Sequence, residues 1–271
     1  MPKASDKSVR APKIEAAFFD VDNTILRGSS AFLFGKAAFA AGFFSRRDFW
    51  RFAWSQTQFI WRGESADMIS NIKDRALALI EGHKSADLTA LTDEVYDLHI
   101  KTRLWPETVR LAKEHMAAGR EVWLVTATPQ EIADVIAHRL GLTGGLGTLI
   151  ERKNGILTGN LVGHALHGKY KKKRVAALAK ERGISLKRSY AYSDSHNDLP
   201  MLSMVGNAIA VNPDKILTTH AKAAGWAILD FKKRELKANR DPEIKKALKV
   251  KKVKNRSAKK AKKRAAKVSK A

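Results

Sequence analysis

Residues 14–19 form a short apolar run that ends in Asp20, with Pro12 before it and Gly28 after. Such a run predicts a strand buried on both faces of a parallel sheet. From residue 29 to about residue 103 the period becomes helical. Phe32, Leu33, Ala37 and Phe39 are followed by Phe49, Trp50, Ala53, Trp54, Ile60 and Trp61, and then by Met68, Ile69, Ile72 and Leu77. This predicts an all-helical block without strands.

Pro106 suits a helix first turn, with Val109, Leu111 and Met116 as the apolar stripe and Gly119 as the stop. The pattern then predicts strand 121–127, helix 130–140 closed by Gly141, and a hairpin around Asn154-Gly155. Helix 172–182 closed by Gly183, strand 189–193, helix 198–205 and strand 208–211 complete it. Strands alternating with helices predict an α/β protein with a Rossmann-like parallel sheet. The core is expected in residues 14–28 and 104–231, with 29–103 as an inserted α-helical cap.

The chain has 271 residues and no cysteine, which removes disulfides, thiolate zinc sites and cysteine nucleophiles. Its net charge of +24 is unevenly spread. Residues 232–271 carry 19 Lys or Arg against three acids, a net +16, and the extension 1–13 adds +3, which leaves +5 for the body. The Lys-rich tail is expected to be disordered. It serves either as a plain solubilising segment or as a non-specific, salt-sensitive contact with nucleic acid or an anionic membrane surface. No reading helix or zinc motif argues for base-specific recognition. Residues 31–44 are too short for a membrane span and are interrupted by Lys36. The polar N-terminus lacks the apolar stretch of a secretory signal. The expected compartment is the cytoplasm, with peripheral association at membrane or nucleoid as the tail's alternative.

Chemistry concentrates at predicted strand ends. Asp20-Val21-Asp22-Asn23-Thr24 closes the first strand, where ligands bind in open α/β sheets. An EF-hand loop fails, because Ile25 and Ala31 occupy its glycine and glutamate positions. Thr126-Ala127-Thr128-Pro129 follows the second motif strand with hydroxyl and N–H groups suited to a phosphate oxygen. Gly168-Lys169-Tyr170-Lys171 opens a helix, and a lysine there runs against the helix dipole unless an anion is near. Ser193-Asp194-Ser195-His196-Asn197-Asp198 supplies further carboxylates. Asp20, Asp22, Asp194 and Asp198 together make an oxygen-rich, sulfur-free cluster of the kind Mg²⁺ takes. His164, His167 and His196 lack a second ligand at metal spacing.

With these four motifs in order, residues 14–231 resemble the haloacid dehalogenase (HAD) superfamily, and in particular subclass IB, which includes phosphoserine phosphatase. The resemblance implies the HAD fold with a helical cap of type C1, and a phosphomonoester hydrolase that works through an aspartyl phosphate. It implies Asp20 as nucleophile and Asp22 as general acid and base. Mg²⁺ would be held by Asp20, Asp194 and the backbone carbonyl of Asp22. Thr126, Ala127 and Lys171 would bind the phosphate, and Asn197, Asp198 and Thr24 would support the site. Lys171 is preferred over Lys169 because the family's apolar offsets of four, seven and eight then fall on Val175, Leu178 and Ala179. Dehalogenases and P-type pumps share the first motif but lack a carboxylate at the position of Asp22.

In phosphoserine phosphatases a glutamate nine positions after the nucleophile reads the substrate's amino group, and here that position is Ser29. The expected substrate is therefore a small phosphorylated metabolite of open identity. The cap aromatics Phe49, Trp50, Phe52, Trp54, Phe59 and Trp61, interleaved with Arg46, Arg47, Arg51 and Arg62, form either the cap's core or a basic interfacial surface. The second alternative would suit a lipid phosphate. A polyanion-binding protein with an incidental phosphatase fold is the remaining function class.

Overall fold

The computed structural model describes residues 14–40, 77–78 and 80–231. The cap aromatics, the N-terminal extension and the basic tail, and the expectations placed on them, lie outside the described residues. Six strands form one parallel sheet: β1 (Ala16–Asp20), β2 (Glu121–Pro129), β3 (Gly144–Thr148), β6 (Tyr190–Ser193), β7 (Asn207–Val211) and β8 (Ala227–Leu229), in the order β3-β2-β1-β6-β7-β8. A separate antiparallel hairpin joins β4 (Ile150–Lys153) to β5 (Ile156–Leu161), with Asn154 and Gly155 both at positive φ as an Asn-Gly turn requires.

Strand β1 is central and fully buried. Ala17 and Phe19 face one apolar cluster with Val122, Leu124, Ile132 and Ile136, and Ala16 and Phe18 face another with Val125, Leu146, Val175 and Leu178. Side chains alternate across a strand, so two covered faces require apolar residues at every position. The first cluster takes in helices α1 (Ser30–Ala40), α2 (Ser85–Val95), α3 (Pro106–Ala117) and α4 (Gln130–Arg139). The second is covered by α5 (Lys169–Arg182), α6 (Leu199–Leu202) and α7 (Lys215–Ala224). Helices α1 and α2, from the expected cap, share the first cluster with the core.

The structure departs from the pattern in several places. The expected helix 198–205 is a 3-10 turn over His196–Asp198 followed by the single-turn α6, which starts at Pro200's neighbour Leu199 and ends before Gly206. Gly206 packs so closely that a Cβ would lie 1.8 Å from the carbonyl oxygen of Lys187. Strands β3 and β8 and helix α7 are additional elements. Helix α5 begins at Lys169 rather than 172, because Gly168 at positive φ turns the chain just before it.

Candidate active site

The register of the sheet sets the site. Asp20 pairs with Val125 on β2, and Phe19 pairs with Tyr192 on β6. Thr126 and Asp194 therefore follow at neighbouring strand ends, where the carboxyl edge of a parallel sheet opens into a crevice. After Asp20 the chain folds back tightly, with Ile25 and Leu26 N–H groups both donating to the Val21 carbonyl and Asn23 at φ 57°. Asn is among the few residues that tolerate that conformation.

Asp20 is buried, and both of its oxygens have partners. Lys171 Nζ donates to Oδ1 at 2.5 Å and Thr24 Oγ1 donates to Oδ2 at 3.3 Å. Lys171 Nζ also donates to Asp198 Oδ2 at 2.7 Å, and Ser193 Oγ donates to the same oxygen at 2.8 Å. Lys171 thus bridges the first and fourth motifs, with its side chain only 5% exposed. Lys169 is exposed, its Nζ lying over the Tyr170 ring. The helical spacing decides between them: Lys171 shares the inward face with Val175 and Leu178, and Lys169 does not.

Burial would lower the Lys171 ammonium, but the two carboxylates outweigh it and hold the pKa above the usual lysine range. Burial raises Asp20 to about 7, aided by repulsion from Asp198 and Asp22 and opposed by Lys171. Asp194 is raised to about 8 by burial and by repulsion from Asp20 and Asp198. Asp22 is raised by burial, against hydrogen bonds from Ser30 and Ser29 and the charge of Lys171. Its Oδ1 accepts the Ser30 N–H at 2.8 Å, at the start of α1 where an anion is favoured. Ser29 caps that helix, with its Oγ accepting the Phe32 N–H.

Thr126 is buried, with Oγ1 3.1 Å from Thr128 Oγ1. Ala127 is exposed beside it, its carbonyl held by Thr148 Oγ1 at 2.7 Å. Asn197 sits on the acidic loop with its backbone N–H and side-chain amide both 3.3 Å from Ser195 Oγ. His164 stacks on Tyr170, and His196 bonds to Asp214.

No group of three or more His, Asp or Glu side chains among the described residues is placed around a common point. Asp20 and Asp194 nonetheless form a repelling, all-oxygen pair. Two hard carboxylates fit a Mg²⁺ ion that completes its shell with a backbone carbonyl, waters and substrate oxygens.

Two residues that motif spacing does not single out, Asp214 and Asn212, brace the loops of the site. Asp214 Oδ2 accepts from the backbone N–H of His196 at 2.7 Å and lies 2.9 Å from His196 Nδ1, while its own N–H donates to the Asp194 carbonyl at 2.8 Å. Its Oδ1 caps α7 by accepting the Leu217 N–H at 2.8 Å. Asn212 Nδ2 reaches the Asn23 carbonyl in the loop after Asp20 at 3.4 Å, and within the acidic motif Ser193 anchors Asp198. The signal for the first was Asn212-Pro213-Asp214 ahead of a helical stretch, an N-cap signature.

The sequence profile of the haloacid dehalogenase-like hydrolases matches residues 17–203. The chain belongs to that family. It is 48% identical over 235 residues to the phosphoserine phosphatase SerB1 of Mycobacterium tuberculosis (strain ATCC 25618 / H37Rv), covering 85% of this chain and 76% of the relative. It is 34% identical over 160 residues to a histidinol-phosphatase of Neisseria meningitidis serogroup C (strain 8013), covering 58% and 72%. A crystal structure of a protein of unknown function from Bordetella pertussis Tohama I superposes with a TM-score of 0.72 at 28% identity, covering 81% of this chain and 99% of that one. This HAD hydrolase is a phosphatase, similar to phosphoserine phosphatases. No helix among its described residues is long and apolar enough to cross a membrane.

Proposed function

We propose that the protein is a Mg²⁺-dependent phosphatase that hydrolyses a small phosphorylated metabolite through an aspartyl phosphate on Asp20. The observation that carries this is the buried bridge from Lys171 to Asp20 and Asp198 at the mouth of the parallel sheet. Phosphoryl transfer asks the protein chiefly for positioning and charge neutralisation. A lysine fixed against one carboxylate oxygen supplies both.

Asp20 attacks phosphorus, the bond to the ester oxygen breaks, and Asp22 gives its proton to the leaving alcohol. Burial favours the protonated form of Asp22, which suits it to that first role. Asp22 then takes a proton from water as the water oxygen bonds to phosphorus, and the Asp20–phosphorus bond breaks to release phosphate. Thr126, the Ala127 backbone and Lys171 bind the transferring oxygens. Thr24, Asn197 and Asp198 keep Asp20, the acidic loop and Lys171 in place. Mg²⁺ held by Asp20, Asp194 and the Asp22 carbonyl would neutralise charge between the carboxylate and the phosphate.

Residues 29–103 act as the cap over the core of 14–28 and 104–231. With Ser29 engaged as a helix cap beside Asp22, an amino-group reader is not found there. That favours a substrate class wider than phosphoserine. The tail 232–271 adds weak polyanion contact on the strength of its charge alone, in a cytoplasmic setting. Hydrolysis of p-nitrophenyl phosphate, with and without Mg²⁺ and with Asp20→Asn, tests the chemistry. Metal-independent turnover, or turnover unchanged by the substitution, would falsify it. A panel of phosphorylated metabolites then fixes the substrate.

A further inference from the structure

A groove of about 250 Å³ lies between helix α5 and the edge strand β3, about 100° around the helix from the face that carries Lys171. Its floor is apolar, from Leu149, Val162, Leu166 and Ala177. Val162 is 55% exposed and belongs to a short set of large apolar side chains left in solvent by the described chain. Its rim is cationic. Tyr170, Lys173, Arg174 and Ala177 share one helix face at offsets of three, four and seven, which turns both charges to the groove. Neither Lys173 nor Arg174 has an ion-pair partner among the described residues, and Lys173 only overlies Tyr170. None of the residues lining the groove is acidic.

We propose that this groove binds a small amphiphilic anion, with its charged head against Lys173 and Arg174 and its apolar body on Leu149, Val162 and Leu166. The occupant follows from complementarity of charge and surface. A purely ionic ligand would leave the apolar floor in water, and a neutral apolar one would leave two unpaired cations beside it. A stacked base is disfavoured because His164 already stacks on the Tyr170 ring, at 4.2 Å. None of the residues lining the groove is assigned to the reaction crevice, which Lys171 serves from an adjacent face of the same helix.

Titration calorimetry of the full chain with 1-octanesulfonate, which a phosphatase cannot hydrolyse, tests this. Sodium sulfate and octyl glucoside present the head and the body alone. Saturable one-to-one binding is expected for octanesulfonate, with each half at least about tenfold weaker. The double substitution Lys173→Glu/Arg174→Glu, and separately Val162→Asp, should each weaken binding by about tenfold, while Lys187→Glu, an exposed charge elsewhere, leaves it unchanged. Circular dichroism and retained p-nitrophenyl phosphate hydrolysis establish that the variants are folded. Absent saturation, equal binding by sulfate alone or octyl glucoside, or equal binding by all folded variants overturns the proposal.

Discussion

Lys171 Nζ stands 2.5 Å from Oδ1 of Asp20, and the contact is closed off from solvent. A lysine in the first turn of a helix opposes the helix dipole, so the fold spends stability to put this charge there. The return is an ammonium fixed at the carboxylate where phosphorus is proposed to bond.

Lys171→Met removes the cation and leaves Asp20 and Asp198 facing each other in a dry site. Breaking a buried pair from one side costs about 3 kcal/mol, and the loss of a charge aimed at the transferring group costs about 100-fold or more in kcat. Lys169→Met changes stability by less than about 0.5 kcal/mol, as expected of an exposed side chain. Urea unfolding and steady-state rates on p-nitrophenyl phosphate compare the two. Equal losses would show that Lys169 has been misplaced as a bystander.

Asp194 gives a paired prediction for the metal. Its repulsion from Asp20 and Asp198 disfavours the folded state while all are ionised. Asp194→Asn should therefore raise metal-free stability by about 1 kcal/mol, as removal of strained active-site charge commonly does. Mg²⁺ should raise the melting temperature of the unsubstituted protein by mass action and leave that of Asp194→Asn nearly unchanged. A thermal shift with Mg²⁺ of equal size in both would remove Asp194 from the metal site.

The site was legible because its parts sit at elements with clear signals. The run into Asp20 marks a strand buried on both faces, and Gly119, Gly141 and Gly183 each close a predicted helix at positive φ. Strand β3 was not predicted because three of the four residues Gly144-Gly145-Leu146-Gly147 are glycine, a residue depleted in strands. The glycines are there for space. A Cβ on Gly145 would lie 2.6 Å from the Ala133 backbone, and one on Gly147 2.6 Å from Gln130 Cα. Helix α4 presses against β3 that closely. Gly145→Ala is accordingly expected to cost about 1–3 kcal/mol by overpacking, read as a shift in urea midpoint without a change in slope.

Asp214 was missed for a different reason: its N-cap signature marks only a helix start, and its tie to the backbone and ring of His196 spans 18 residues, which no local motif records. It ties the loop of Asp194 to helix α7 through His196 and Leu217. Asp214→Ala should weaken Mg²⁺ affinity by about tenfold, the usual effect of losing a group that orients a ligand, and cost about 1 kcal/mol for the lost helix cap. Asp214→Asn keeps one acceptor and should fall between. Calorimetric Mg²⁺ titration separates the two roles, since a residue that only capped the helix would lower stability and leave metal affinity intact.

His115 sets a pH dependence independent of the acidic cluster. It is buried on α3, with Nε2 2.7 Å from the Tyr192 hydroxyl, and it packs edge-on to Phe19. Burial first, and the Arg120 guanidinium second, lower its pKa from 6.5 to about 4. The unfolded chain therefore takes up a proton on this side chain between about pH 6.5 and 4 that the folded protein refuses. Stability from His115 is complete above pH 6.5 and is lost as pH falls through that window, by about 3 kcal/mol at the lower end. Carboxylates raised by burial, Asp20 and Asp194, act with the opposite sign, so the total curve does not isolate the histidine. The comparison that does is the unfolding free energy of the unsubstituted protein minus that of His115→Gln, followed from pH 7.5 to 4.5. The difference should shrink as the medium becomes more acid, and one that stays constant would mean that His115 takes its proton inside the fold.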